Sequence, residues 1–570
     1  MDGPSVDGGG DAGNAVRPWW EGAVFYQIYP RSFADADGDG VGDLAGIRRR
    51  LGHLVDLGVD ALWLSPFYRS PMADFGYDVS DYCDVDPLFG TLDDVDRLVE
   101  DVHQAGMRII VDWVPNHTSS EHPWFVDARS SRDSRHRRWY VWRDPGPDGG
   151  PPNNWRAAFD PDAPAWTFDP ASGQWYLHLF EASQPDLNWD EPEVRAAMAE
   201  VLRFWLDRGV DGFRADVVHC IGKDPALPDD PPDLAGLPHA VLNDVPATHG
   251  RLRDLRALLD SYPGERMMVG EVYLLSTAAV AAYYGAGDEL HLAFNFPPLF
   301  APWQADAWRD QVVEVDRELG RRGAWPTWVL SNHDNPRHRT RYDMGASWAG
   351  EDEATRERRS ERRARSAAVL LLGLRGTPFL YQGEELGLGD VDVPADRRVD
   401  PGGRDGCRGP VPWDASPDHG WPVSPGASPW LPLPADAATR NAESAWADSG
   451  SVLRLYQRLL AARRASPALR HGEQRLLDTP SGVLGLERTG GGAAADGAGE
   501  DGAGGDGDAV GDRRVVLVNF TDDDRQVRLE PPGPGLVWRV EVAGDGTGEG
   551  QAWNAALGPD QAVVLKPAAR

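Results

Sequence analysis

Lysine is almost missing from this chain: Lys223 and Lys566 are its two examples among 57 basic residues. The rest of the basic charge is arginine, and 90 acidic residues leave a net charge of −33. Such a charge argues against a nucleic-acid partner, whose phosphates would be repelled. Cysteine is also scarce. Cys83, Cys220 and Cys407 are odd in number and widely scattered, which gives neither a disulfide framework nor metal-ligand spacing. No run approaches eighteen apolar residues, so no membrane span is expected. The opening MDGPSVDGGGDAGN lacks a basic stretch followed by an apolar one, and a cytoplasmic location is the expectation.

Tryptophan is abundant, with 23 copies, and its flat face suits sugar rings as well as large cores. At 570 residues the chain exceeds one ordinary core, so two or three domains are expected. From about residue 20 to 465, short apolar runs alternate with helical stretches. The runs are 24–29, 60–64, 108–114, 210–216, 267–271, 291–296, 326–331 and 377–381; the helices include 44–57, 91–105, 193–208, 251–260, 304–320, 360–374 and 451–465. Eight strands, most followed by a helix, predict an α/β fold, a (β/α)8 TIM barrel with its site at the strands' carboxyl ends. The barrel is expected over 19–117 and 191–467, behind a disordered tail at 1–18. Residues 118–190, rich in Trp, Pro, Asp and Asn, read as an inserted irregular domain after strand three. Beyond 468 the pattern turns to alternating β segments, an antiparallel β domain over 468–570. Its Gly/Ala/Asp-rich tract 490–512 cannot bury apolar surface and is expected to be disordered.

Three acids close three of the apolar runs or follow them directly: Asp216 in GVDGFRAD, Glu271 in MMVGE and Asp334 in WVLSNHD. Carboxylates at several strand ends suggest one pocket, and two carboxylates facing one bond are what glycosidic cleavage needs. In GFRAD, side chains two apart share a strand face, so Arg214 should lie beside Asp216 and keep it ionised, as suits a nucleophile. Glu271 follows apolar residues with no basic neighbour in sequence; burial without a cation would keep its proton on, as a general acid requires. Earlier strand ends add Asp112 and His117 in VDWVPNH and Tyr77 and Asp78 in FGYDVSDY; His333 precedes Asp334. In DADGDGVGD, Asp35, Asp37, Asp39 and Asp43 cluster hard oxygen ligands on a Gly-rich loop, which fits a structural Ca²⁺ or Mg²⁺.

The segments DWVPNH, GFRAD, GEV and NHD, with QPDLNW at 184–189, stand in the order and spacing of the α-amylase family of glycoside hydrolases. Over roughly 18–570 the chain resembles that family's α-glucosidase and oligo-1,6-glucosidase branch. The resemblance implies Asp216 as nucleophile, Glu271 as acid/base and Asp334 as transition-state stabiliser. His117, Arg214 and His333 would bind the non-reducing glucose, with Tyr77, Asp112 and Arg337 as further substrate-binding candidates. Asp78 resembles the residue that closes the pocket behind that glucose, with Arg408 in RDGCRGPVPW as its ionic partner. Such a pocket implies exo action on a small oligosaccharide; a monomer or small homo-oligomer is the expectation for its assembly. The metal loop's resemblance adds the Val41 carbonyl as a ligand.

Val217 after the nucleophile accompanies α-1,6 preference in oligo-1,6-glucosidases, whereas VHCIGKD and RDGCR look more like a group that accepts α-1,4 links. His219 and Cys220 stand where α-amylases carry Lys-His, which disfavours endo action. Transglucosylation or isomerisation on the same covalent intermediate is the alternative chemistry. A non-catalytic relative is the alternative from another class; such relatives lose the acids kept here. For retention, the two working carboxyls should stand roughly 5–5.5 Å apart.

Overall fold

The structure, a computed structural model, describes residues 17–343, 352–422, 424–490 and 511–570. The tail expected over 1–18 and the tract over 490–512 fall almost wholly outside those residues. Eight parallel strands form one sheet: β1 (Phe25–Ile28), β2 (Ala61–Leu64), β3 (Arg108–Trp113), β4 (Gly212–Ala215), β5 (Met267–Glu271), β6 (Leu292–Phe294), β7 (Thr327–Val329) and β8 (Thr377–Tyr381). Pairing runs in chain order from β6 back to β1, then to β8 and β7. The Thr327 hydroxyl donates to the Ala293 carbonyl at 2.7 Å, bringing β7 against β6 and closing the ring. The fold is the TIM barrel that the alternation of runs predicts.

Strand parity sorts the side chains. Phe25, Trp63, Ile110, Val269, Phe294 and Phe379 pack inside the ring, where Phe25 stacks on Phe379 at 4.6 Å. Their neighbours Tyr26, Leu62, Leu64, Ile109 and Val111 face outward under the helices. Both faces are therefore apolar, which is why the strands read as continuous runs. The expected helix 44–57 is two, Leu44–Arg49 and Leu51–Leu57, separated at Arg50, whose backbone leaves the helical region. Helix Leu92–Gln104 opens on a capping box of Thr91 and Asp94. Among the described residues no helix is long and apolar enough to cross a membrane.

Between β3 and β4 the chain carries a three-stranded antiparallel sheet of Trp142–Arg143, Gln174–Leu177 and Trp166–Asp169. After helix Val452–Ala465 comes a five-stranded antiparallel sheet. Its strand Arg513–Asn519 sends Val516 and Val518 into the barrel's outer core, and Val515 and Leu517 into a second core of its own. Two arginines, one on the barrel's last helix and one on the sheet, hold the backbone beside this junction. Arg463 donates to the carbonyls of Leu372 and Gly376, and Arg488 to that of Gly373. These are carbonyls at and just beyond the end of helix Glu353–Gly373, where no helical donor is left.

Candidate active site

Above the carboxyl ends of the strands lies a pocket of about 440 Å³, lined by Asp216, Glu271, Asp334, Tyr77, His117 and a set of loop residues. Its floor is ionic. Register places Asp112 opposite Arg214, and parity turns Arg214 and the following Asp216 the same way. The Arg214 guanidinium donates to Asp216 at 2.6 Å, to Glu271 at 2.5 Å and to Asp112 at 3.2 Å. One buried cation thus faces three buried carboxylates. Glu271 was expected to lack a basic neighbour in sequence. It gains one from the adjacent strand, together with the Val217 N–H at 3.1 Å. Val217 adopts a left-handed backbone at φ 32°, unusual for a β-branched residue, and that turn aims its N–H at Glu271.

The electrostatics also differ from expectation. Burial pushes Asp216 well above the usual carboxylate range; Arg214 opposes this, while Glu271, Asp112 and Asp334 reinforce it. Arg214 therefore offsets only part of what burial and the neighbouring carboxylates impose on Asp216, and it is shared among three acids. Burial likewise raises Asp112 to about 6, against Arg214 and the Tyr77 and Trp63 hydrogen bonds. Asp334 behaves oppositely. Burial would raise it, but His333 and the guanidiniums of Arg404 and Arg408 hold it far below the usual range.

Asp334 accepts from Arg404 at 3.0 Å and from Arg408 at 3.1 Å. Arg404 continues to Asp74 at 2.5 Å and to Asp400 at 2.7 Å, with its guanidinium over the Phe159 ring. The bridge across the pocket wall is thus Asp74–Arg404–Asp334. This corrects the expected pairing of Asp78 with Arg408. Asp78 is fully buried inside its own loop, accepting from Ser70 Oγ and the N–H groups of Ala73 and Asp74. It shapes the turn that presents Asp74. Arg408 sits behind Asp334, bonded to Asp400 and the His333 carbonyl, and does not line the pocket.

Tyr77 donates to Asp112 at 2.7 Å and meets His333 Nε2 at 2.5 Å, with the two rings stacked. His333 is held on its other side by Gln27 and lies beneath Asp334. His117 reaches the pocket with Gln184 and the Tyr77 carbonyl beside its Nε2. Arg337 does not reach it. Its guanidinium donates to the Gln382 carbonyl and lies over the Tyr381 ring, so it braces the end of β8.

In the 35–43 loop, carboxylate oxygens of Asp35, Asp37 and Asp39 lie within 4.8 Å of one another. Asp43 is not part of that cluster: its oxygens accept from Gly46 N–H at 2.6 Å and Ala36 N–H at 2.8 Å, capping helix Leu44–Arg49. Pocket residues that the motifs did not single out are Asp74, Arg404, Tyr273, and Phe159 and Phe180 from the inserted segment.

Residues 27–472 match the family model described as "Alpha amylase, catalytic domain". The chain is 42% identical over 503 residues to a probable alpha-glucosidase of Rhizobium meliloti (strain 1021), covering 83% of this chain and 88% of that one. It is 37% identical over 505 residues to an oligo-1,6-glucosidase of Parageobacillus thermoglucosidasius, covering 81% and 86%. Among solved structures, the alpha-glucosyl transfer enzyme XgtA superposes with a TM-score of 0.83 at 38% identity, over 97% of this chain and all of that one.

Proposed function

This chain belongs to the alpha-amylase family of glycoside hydrolases, and within it we propose a retaining, exo-acting α-glucosidase that releases terminal glucose from α-1,4- or α-1,6-linked oligosaccharides. The observation that carries this reading is the single guanidinium of Arg214 holding Asp216 and Glu271 on adjacent nitrogens at the pocket floor. Asp216 attacks the anomeric carbon as the leaving oxygen takes a proton from Glu271, giving a covalent glucosyl-enzyme. Glu271, now ionised, takes a proton from water, which displaces Asp216 with net retention. Asp334, kept negative by Arg404 and Arg408, faces the positive charge that builds on the sugar ring. Asp74 and Arg404 close one wall, which favours a chain end over a passing chain.

Specificity constants measured side by side on maltose, isomaltose, sucrose and trehalose, with the anomer released followed by NMR, test the reading. Release of β-glucose, or no glucose from any of the four, would sink it. The similarity to a glucosyl transfer enzyme favours one alternative, transfer of the glucosyl group to a second sugar. Products dominated by transfer at high maltose would decide for it.

The 35–43 loop supports a structural Ca²⁺ or Mg²⁺. Asp35, Asp37 and Asp39 supply oxygen donors on one side, with the Val41 carbonyl as the fourth expected ligand. Burial pushes Asp39 up, and the charges of Asp37 and Asp35 add to it, a crowding that a cation relieves. The ion would tie the loop after β1 to the barrel top and take no part in the chemistry. Chelator-treated protein should melt lower and recover on adding one of the two ions; an unchanged melting temperature would remove the ion.

A further inference from the structure

Against its net charge of −33, the chain carries six arginines in the fifteen residues 129–143, RSSRDSRHRRWYVWR. Four of them, Arg132, Arg137, Arg138 and Arg143, line a cavity of about 700 Å³ that shares no lining residue with the catalytic pocket. Lys223, one of the two lysines, reaches it from the loop after β4. Of the five cations lining it, Arg137, Arg138 and Arg143 make no ion pair with a carboxylate among the described residues. Buried Arg137 donates to neutral acceptors, the Ala128 carbonyl at 2.9 Å and Gln174 Oε1 at 2.6 Å, and lies on the Trp142 face. Arg143 donates to the Trp142 carbonyl. Arg138 is exposed, and among the described residues its side chain has no hydrogen-bond or ion-pair partner.

Opposing charge is present but partly engaged. Of the acids at the rim, Asp190 pairs with Arg251, and Asp224 accepts an amide of its own turn; Glu191 completes the set. Arg132 pairs with Asp144 and Lys223 with Asp186. Among the described residues, three guanidiniums, Arg137, Arg138 and Arg143, are left with no carboxylate in ion-pair contact on this concave surface. Guanidinium forks match phosphate oxygens. The volume suits a small molecule rather than a bare ion.

We propose that this cavity binds the phosphate group of a small anion, with Arg138 and Arg143 as its contacts and Arg137 fixed behind them. Lys223 anchors one edge of the site to the barrel top. Its Nζ donates to Asn116 Oδ1 and the Cys220 carbonyl, both at 2.6 Å, and Cys220 lies four residues after Asp216. The ligand comes from one of two sources, free phosphate or a sugar phosphate ester.

Calorimetric titration of the full chain with inorganic phosphate and with glucose 6-phosphate, each with and without saturating glucose, tests the proposal. Saturable binding to one site that survives glucose is expected. It should weaken about tenfold in Arg138→Gln with Arg143→Gln, the loss of charge-assisted hydrogen bonds. The single Arg138→Gln, at an exposed position, should lose severalfold with an unchanged melting temperature. Equal affinity for the two probes assigns the phosphate group alone; tighter binding of the ester assigns the sugar phosphate. The proposal is overturned if neither probe binds, if glucose abolishes binding, or if the variants bind as the parent does.

Discussion

Glu384, two residues past the fully buried Gln382 under the top of the barrel, should make this protein lose stability as pH rises through neutrality. Burial pushes its carboxyl up to about 8, against the Tyr381 backbone and Arg337 and with the help of neighbouring Glu385. Tyr456 donates to one oxygen at 3.3 Å, and the other has no hydrogen-bond partner. The nearest imidazole, His338 at 3.9 Å, is itself pushed down to about 3 by burial and three arginines, so it is neutral and offers no charge. The native protein therefore keeps a proton on Glu384 that the unfolded chain, with an ordinary value of 4.5, releases. Between about pH 4.5 and 8 the native state binds more protons than the unfolded state, and stability falls with rising pH across that window. From pH 6 to 8 this one group removes about 2 kcal/mol, at roughly 1.4 kcal/mol per pH unit with levelling near its own value. Glu384→Gln keeps the shape and a neutral donor but cannot titrate. Urea unfolding of both proteins at pH 6 and at pH 8 should show the variant's relative stability rising by about 2 kcal/mol. A gap that is the same at both pH values would refute the reasoning, since it would mean Glu384 is ionised in the native state or finds a cation.

Asp216→Asn should abolish turnover while leaving a folded protein; activity resembling the parent would remove the mechanism. With Asp216 raised by burial, kcat/KM of the parent should fall on the acid side at a pH above the usual carboxylate range, because attack needs the ionised form and protons occupy it early. A pH profile flat down to pH 4 would contradict that placement. Arg404→Leu strips Asp74 and Asp334 of their common partner and should cut kcat/KM on maltose about a hundredfold, the scale of breaking a buried ion pair. Longer maltooligosaccharides should suffer less, since the wall that selects a chain end is opened. Equal losses on short and long substrates would show that Arg404 does not set chain-end selectivity.

What the sequence could and could not say about the site divides along strand and loop. On strands, parity and burial are enough: Arg214 and Asp216, two apart at the end of a buried run, had to face one way, and they meet at 2.6 Å. In loops no period exists to choose between candidates. ADFGYD offers two acids and RDGCR two arginines, each pair four residues apart, and in both cases the earlier residue, Asp74 or Arg404, lines the pocket. The later ones, Asp78 and Arg408, turn inward and hold the earlier in place, through the Asp74 N–H and through Asp400. A buried, fully bonded acid is the scaffold here, and the acid left for an ion pair across the pocket is the working one. The same logic bears on Asp216, whose carboxyl is raised first by burial and then by the acids gathered around it. A neighbour in sequence supplies a charge, but its effect depends on how many other strands send a carboxylate to the same guanidinium. Pairing of β4 with its neighbours β3 and β5 brings Asp112 and Glu271 to Arg214, and that convergence, invisible along the chain, turns a simple ion pair into three carboxylates on one cation.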